Sequence, residues 1–181
     1  MSKTVIVTGA SRGIGHAISL YYAQKGFNVC VCCHKNADML DSLKDEIENI
    51  GADCMTYVGN IGIFENAAEF FSLIKERFGK ADILINNAGI SYIGLLQDMT
   101  PSDWNNIITS NLTSVFNCCK LAIPIMLGSH EGKIINISSV WGCVGASTEV
   151  AYSATKGGIN AFTKALAKEL APSNIQVNAV A

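Results

Sequence analysis

A tyrosine and a lysine four residues apart, Tyr152 and Lys156, follow Ser139 within one short stretch of this chain. On a helix, positions i and i+4 share a face, so the phenol and the ammonium would be neighbours. A phenol is a poor acid near neutral pH, with an unperturbed pKa of about 10. A fixed ammonium beside it favours the phenolate and draws that pKa toward the working range, which makes the pair a candidate proton donor. A serine hydroxyl delivered from a strand end, as Ser139 would be at the close of the apolar run 133–138, can orient the same carbonyl or hydroxyl group. Any helix can carry Tyr-x-x-x-Lys, so the meaning of the pair depends on the elements that position it.

Those elements begin at the N-terminus. Residues 4–8 form a β-branched apolar run suited to a buried strand, followed by Gly9-Ala-Ser11-Arg12-Gly13-Ile14-Gly15 and a helical pattern that runs to Gly26. Strand, glycine turn and helix in that order point to a dinucleotide site. The glycines let backbone approach a pyrophosphate, and the helix N-terminus presents free N–H groups and a favourable dipole. The spacing Gly-x-x-x-Gly-x-Gly is a variant of the commoner Gly-x-Gly-x-x-Gly. After the second strand, residues 28–33, dinucleotide folds place a carboxylate that bonds a ribose 2′-hydroxyl and repels a 2′-phosphate. Here that position holds His34 and Lys35, with no acid before Asp38, and Arg12 adds a further cation. NADP(H) is therefore expected over NAD(H).

Downstream, an amphipathic helix is expected over 38–50, a third strand over 53–58 ending in Gly59-Asn60-Ile61, and a helix over 63–78. Residues 82–89 read as a fourth strand running into Asn86-Asn87-Ala88-Gly89, a turn whose small side chains leave room for an adenosine ribose. Thr100-Pro101-Ser102-Asp103 starts a helix that passes Asn111 and Cys119 and is expected to kink near Pro124. A fifth strand over 133–138 leads to Ser139, the helix of Tyr152 and Lys156 ends at Leu170, and 175–180 is a sixth strand. Alternating strands and helices predict an α/β fold, a doubly wound parallel sheet in three layers. Ligands in such a sheet sit beyond the carboxyl ends of the strands, where all the residues singled out above fall.

Composition narrows the classes. The 181 residues read as one domain, 1–181, with 49% hydrophobic and 15% charged residues, enough to bury about 70% of the unfolded surface. A net charge of −2 gives no electrostatic reason for nucleic acid or an anionic membrane as partner. No uninterrupted apolar run reaches the roughly 18 residues that span a bilayer, and the first residues enter a strand pattern without a signal-peptide core. A cytoplasmic chain is expected. The seven cysteines show no Cys-x-x-Cys pair and no zinc spacing, so small buried hydrophobes are expected and no metal.

Together, Thr8-Gly-Ala-Ser-Arg-Gly-Ile-Gly15, Asn86-Asn-Ala-Gly89, Asn111, Ser139 and Tyr152-x-x-x-Lys156 resemble the short-chain dehydrogenase/reductase family over the whole chain. Within it, the Ala-Ser-Arg loop and Tyr-Ser-Ala-Thr-Lys-Gly-Gly are most similar to 3-oxoacyl-[acyl-carrier-protein] reductases. The resemblance implies a Rossmann fold with strand order 3-2-1-4-5-6. It implies that Tyr152 protonates the carbonyl oxygen as hydride arrives from the nicotinamide, and that Lys156 tunes Tyr152 and holds the nicotinamide ribose. Ser139 would bond the substrate oxygen, and Asn111 would anchor a water that links Lys156 to solvent. The cofactor positions are Gly9, Ser11, Arg12, Gly13, Ile14, Gly15, His34, Lys35, Asn60, Ile61, Asn87, Ala88 and Gly89, with Tyr152 and Lys156. The expected substrate is a 3-oxoacyl thioester on acyl carrier protein, in fatty acid synthesis. A sugar, steroid or small ketone, or a dinucleotide-binding chain with little turnover, stays open as the alternative.

Two departures from the family pattern bear on this reading. Asn60 stands where the family usually has an Asp against the adenine amino group, and its amide oxygen can still accept. After Ala181 the family continues with Pro-Gly, a threonine on the nicotinamide amide, a substrate-covering segment and a seventh strand. NADPH binding with slow turnover, and a dimer through the helices of Asn111 and Tyr152 rather than a tetramer, are the corresponding expectations.

Overall fold

The computed structural model describes residues 2–181. Its centre is a six-stranded parallel sheet in the order β3-β2-β1-β4-β5-β6. The strands are β1 (Thr4–Thr8), β2 (Asn28–Cys33), β3 (Cys54–Val58), β4 (Ile83–Asn86), β5 (Gly132–Ile137) and β6 (Ile175–Val180). β1 is buried at every position, because parallel strands covered on both faces read as continuous apolar runs. The helices are α1 (Gly13–Gln24), α2 (Ala37–Asn49), α3 (Phe64–Phe78), α4 (Pro101–Ile108), α5 (Ser114–Ser129), the short α6 (Trp141–Val144) and α7 (Val150–Leu170). They cover the two faces, with one core around Val5, Val7, Leu40 and Ile47 and the other around Ile6, Phe70, Leu84 and Ile159. This is the expected Rossmann-like sheet and order. The crossover from β3 to β4 reverses direction beside β1, so the carboxyl ends of β1 and β4 form the crevice where doubly wound folds bind ligands.

Several local expectations shift. Thr100 caps α4 through a reciprocal pair with Asp103, as the sequence suggests. The irregularity in the long helical run, however, is a wide π-turn at Thr109–Thr113 that separates α4 from α5, while Pro124 lies inside α5. Such a turn carries an extra residue per turn and is frequent at functional sites. The run Pro101–Ser129 is also long and apolar enough, by length and composition, to cross a bilayer, which corrects the expectation that no segment qualifies. In the fold it buries Asn111, Ser114 and Asn117 with Val115, Cys118, Ala122 and Met126 against the protein. Six cysteines are buried thiols, and the seventh, Cys143 on α6, is exposed, contrary to the uniform expectation of buried cysteines. Burial pushes the Cys32 and Cys54 thiols up to about 12, which keeps them inert.

Candidate active site

The glycine turn between β1 and α1 is a close-packed piece of backbone. Gly9 holds a φ of +65°, and a Cβ there would lie 2.7 Å from Ala88 Cα. A Cβ on Gly15 would lie 2.6 Å from both Asn87 Nδ2 and Gly9 O. The turn is fastened to β4 rather than to itself. Thr8 Oγ1 accepts from the N–H groups of Asn87 and Ala88, both at 3.0 Å, and Asn87 Nδ2 donates to the carbonyls of Thr8 and Gly9, also at 3.0 Å. Asn87 is thus a fastener of the loop as well as a wall of the site. The first turn of α1 has no side-chain cap and no acidic residue, so its N–H groups remain available to an anion.

A cleft of about 560 Å³ opens over this turn. It is lined by Gly9, Ser11, Arg12, Gly13, Ile14, His34, Lys35, Asn60, Ile61, Asn87, Ala88 and Gly89, which are the expected cofactor positions other than Gly15, Tyr152 and Lys156. Gly15 sits buried behind the turn. Arg12, His34 and Lys35 are exposed at one end and form no ion pair among the described residues. Asn60 Oδ1 accepts from Gly62 N–H at 3.0 Å, which leaves one lone pair and the amide hydrogens for a ligand. Asn36, Ile90, Asn106 and Ser110 also line the cleft and escaped the sequence reading. Ser110 precedes Asn111 in the π-turn and Asn36 precedes α2, a capping position that could have drawn notice; Asn106 gives no signal in the sequence.

Behind Gly89, which lines the cleft, stand residues of the Tyr152 helix. Lys156 is buried, its Nζ donates to the Ile137 carbonyl at 2.6 Å, and it lies 5.5 Å from the centre of the Tyr152 ring. Burial lowers its pKa to about 8, since an ammonium stripped of water is disfavoured. A Cβ on Gly89 would be 3.4 Å from Asn111 Oδ1 and 3.8 Å from Lys156 Nζ, so both groups meet at the floor of the cleft. Asn111 is fully buried, accepts from Ile90 N–H at 2.8 Å, and donates to Ile90 O and Thr155 Oγ1 at 2.9 and 3.2 Å. Both its amide hydrogens are engaged by protein, so the side chain fixes the segment at Ile90.

Ser139 follows β5 and its Oγ accepts from Trp141 N–H at 3.2 Å, with no direct bond to Tyr152 or Lys156. Its neighbour Ser138, unremarked in the sequence, donates to Asn160 Oδ1 at 2.6 Å and to the Lys156 carbonyl at 3.3 Å. Two residues earlier, on β5, Asn136 donates to Thr163 Oγ1 at 2.9 Å. β5 and α7 are therefore locked in register by polar pairs, and Ser139 leaves β5 beside the turn that holds Lys156. A buried lysine beside a phenol, under a cleft with a backbone cradle, can hold and release a proton next to a bound dinucleotide.

The sequence profile described as short chain dehydrogenase matches residues 3–181. The chain is similar to 3-oxoacyl-[acyl-carrier-protein] reductase FabG of Staphylococcus aureus, with 43% identity over 184 residues that cover all of this chain and 74% of that protein. The Thermotoga maritima protein of the same name is 39% identical over 179 residues, 99% of this chain and 72% of that one. Among solved structures, a candidate short-chain alcohol dehydrogenase from Sinorhizobium meliloti 1021 matches with a TM-score of 0.95 and 35% identity, over 100% of this chain and 72% of that one.

Proposed function

The chain belongs to the short-chain dehydrogenase family and is an oxidoreductase acting between CH–OH and C=O groups, and on that footing we propose that it is an NADPH-dependent reductase of 3-oxoacyl thioesters. The observation that carries the reading is the meeting of Lys156 and Asn111 under Gly89, with the Tyr152 ring 5.5 Å from Lys156 Nζ. When bound, the dinucleotide supplies the hydride. Tyr152 donates the proton to the carbonyl oxygen, and Ser139 Oγ orients that oxygen. Lys156, whose pKa near 8 lets it exchange protons at working pH, returns the proton to the phenol. Gly9 and the uncapped start of α1 fit a pyrophosphate, and a side chain at Gly9 or Gly15 would push the turn that shapes this cradle out of place.

The preference for NADPH rests on Arg12, His34 and Lys35, three exposed basic side chains at one end of the cleft without a carboxylate partner among the described residues. The 3-oxoacyl substrate rests on the printed function of relatives such as the Staphylococcus aureus protein. A cytoplasmic setting agrees with cysteines kept as thiols, six of them buried. Pairing of two copies through the helices that carry Asn111 and Tyr152 agrees with exposed Trp104, Phe116 and Leu127 on α4 and α5 and exposed Val150 on α7. The test is to incubate the chain with NADPH and an acetoacetyl thioester. Loss of NADPH absorbance should match formation of the 3-hydroxy product, and NADH should serve less well. No product from 3-oxoacyl thioesters with either cofactor, or turnover of a sugar or steroid ketone in their place, overturns the reading.

A further inference from the structure

Tyr152 stands at the third position of α7, and two segments outside the signature residues meet just before it. One is the stretch 90–96 that follows the floor of the cleft, and the other is the turn 145–149 that enters α7. They are joined twice. Ser91 Oγ donates to Glu149 Oε1 at 2.7 Å, and Gly94 N–H donates to the Thr148 carbonyl at 2.9 Å. Thr148 holds a φ of +64°, where a β-branched residue is an outlier. Such a conformation persists only where its surroundings over-determine it, and it concentrates at working sites. Here the surroundings are specific. Besides the Gly94 bond, Ala146 N–H donates to Ser153 Oγ at 3.0 Å, and Ser153 N–H donates to the Glu149 carbonyl at 2.8 Å.

A second connection runs beneath. Asn111 grips both backbone polar groups of Ile90 and donates to Thr155 Oγ1, and Thr155 Oγ1 donates in turn to the Tyr152 carbonyl at 2.7 Å. The two paths leave adjacent residues, Ile90 and Ser91, and converge on the start of α7 around Tyr152. One ends at Glu149 and Ser153, the other at the Tyr152 peptide itself. Ile90 and Gly89 line the cleft, so the same short segment touches the cofactor space and fixes the helix that presents the phenol.

We propose that Ser91, Glu149 and Thr155 are positioning residues that clamp the first turn of α7, and with it Tyr152, to the cleft floor at Gly89–Ile90. The inference rests on the reductase reading for the role of Tyr152. Glu149 needs only a carbonyl-type acceptor for its part, so a glutamine can replace it, and a serine can replace Thr155.

The experiment compares Ser91→Ala, Glu149→Ala and Thr155→Val with Glu149→Gln and Thr155→Ser in the whole chain. Small misplacements of a reacting group are costly, so kcat with NADPH and an acetoacetyl thioester should fall by about tenfold or more in the first three. The Kd for NADPH should hold in all five, and the glutamine and serine variants should regain the wild-type rate. Wild-type kcat in Glu149→Ala and Thr155→Val overturns the clamp, and so does a Glu149→Gln variant as slow as Glu149→Ala. A readout independent of turnover separates this from failure of the reductase reading. The Gly94 amide should exchange slowly with solvent in the wild type and in Glu149→Gln, and faster in Glu149→Ala and Ser91→Ala. If the wild type reduces no thioester, the reductase reading falls and exchange still decides the clamp. Equal Gly94 exchange in all these forms overturns it.

Discussion

The cleft offers backbone at its dinucleotide end and side chains at its Tyr152 end. Around Gly9 and Gly15 the polar groups of Thr8 and Asn87 are spent on holding main chain in place, and the charged side chains Arg12 and Lys35 have no protein partner among the described residues. Around Tyr152 the reverse holds: Asn111, Ser138, Thr155 and Lys156 are buried and each is bonded to another part of the protein. The first arrangement leaves bonding capacity for a ligand, as a binding surface requires. The second leaves little, as preorganisation of one reacting geometry requires, since a buried polar group that is half satisfied would be free to move or costly to keep. Affinity and chemistry are thus assigned to different materials within one cleft.

If that division is real, the two ends should be separable by mutation. The largest effect is expected from Tyr152→Phe, which removes one hydroxyl and leaves the cradle untouched. Its kcat/KM should fall by about 10²–10⁴, the usual contribution of a positioned acid, while NADPH titration gives the wild-type Kd. A parallel loss of NADPH affinity would sink the division. Gly15→Ala attacks the other end. Its Cβ would meet Gly9 O and Asn87 Nδ2 at 2.6 Å, and a backbone oxygen cannot swing aside. Denaturant unfolding should show a loss of about 1–3 kcal/mol, with weaker NADPH binding. Unchanged binding would mean that the cradle does not seat the pyrophosphate.

The sequence exposes these two ends unequally. The parallel sheet, the glycine turn and much of the lining of the cleft are legible because each follows from local signals: an apolar run, a glycine, a cation where an acid is usual; the strand order follows only from the family resemblance. The positions of Ser139, Tyr152 and Lys156 are legible as a spacing. What holds them is not. Ser138–Asn160, Asn136–Thr163 and Ser91–Glu149 join residues 22, 27 and 58 positions apart, and nothing in composition or periodicity pairs them. The π-turn at Thr109–Thr113 lies in a stretch that reads as regular helix, so the break was expected at Pro124 instead. Asn111 shows the limit most clearly: its type and place mark it, but its grip on Ile90 appears only once the chain is folded.

A smaller effect should follow from charge reversal at the open end. Arg12→Glu combined with Lys35→Glu leaves the backbone cradle in place and removes the two permanent cations at one end of the cleft. The ratio of NADPH to NADH affinity should drop by about tenfold or more, some 1.4 kcal/mol, with most of the change in NADPH. The effect should shrink as salt rises, because both side chains are exposed. A ratio that does not move would remove these residues from cofactor selection.

The subtlest effect belongs to the closed end and is read in stability rather than rate. Lys156 has an ordinary pKa of 10.5, lowered in the fold to about 8 by burial. Between those values the unfolded chain binds the proton and the folded chain has released it, so this group makes stability rise with pH across that window. Below about 8 the cost of the buried charge is present in full, and above 10.5 it is gone. Lys156→Met abolishes the dependence. The variant's stability relative to the wild type should therefore decline through the window, by at most about 1.4 kcal/mol per pH unit for a single proton. The buried thiols Cys32 and Cys54 act oppositely, losing stability as pH rises from 9.0 toward about 12, but both proteins carry them and the difference cancels. The methionine also leaves the Ile137 carbonyl without its partner, an offset that shifts the difference at every pH and does not tilt it. Paired denaturant titrations between about pH 7 and 10 measure the tilt. A flat difference would mean that Lys156 keeps its ordinary affinity for the proton, and the closed end would then hold a plain ammonium rather than a group poised to exchange.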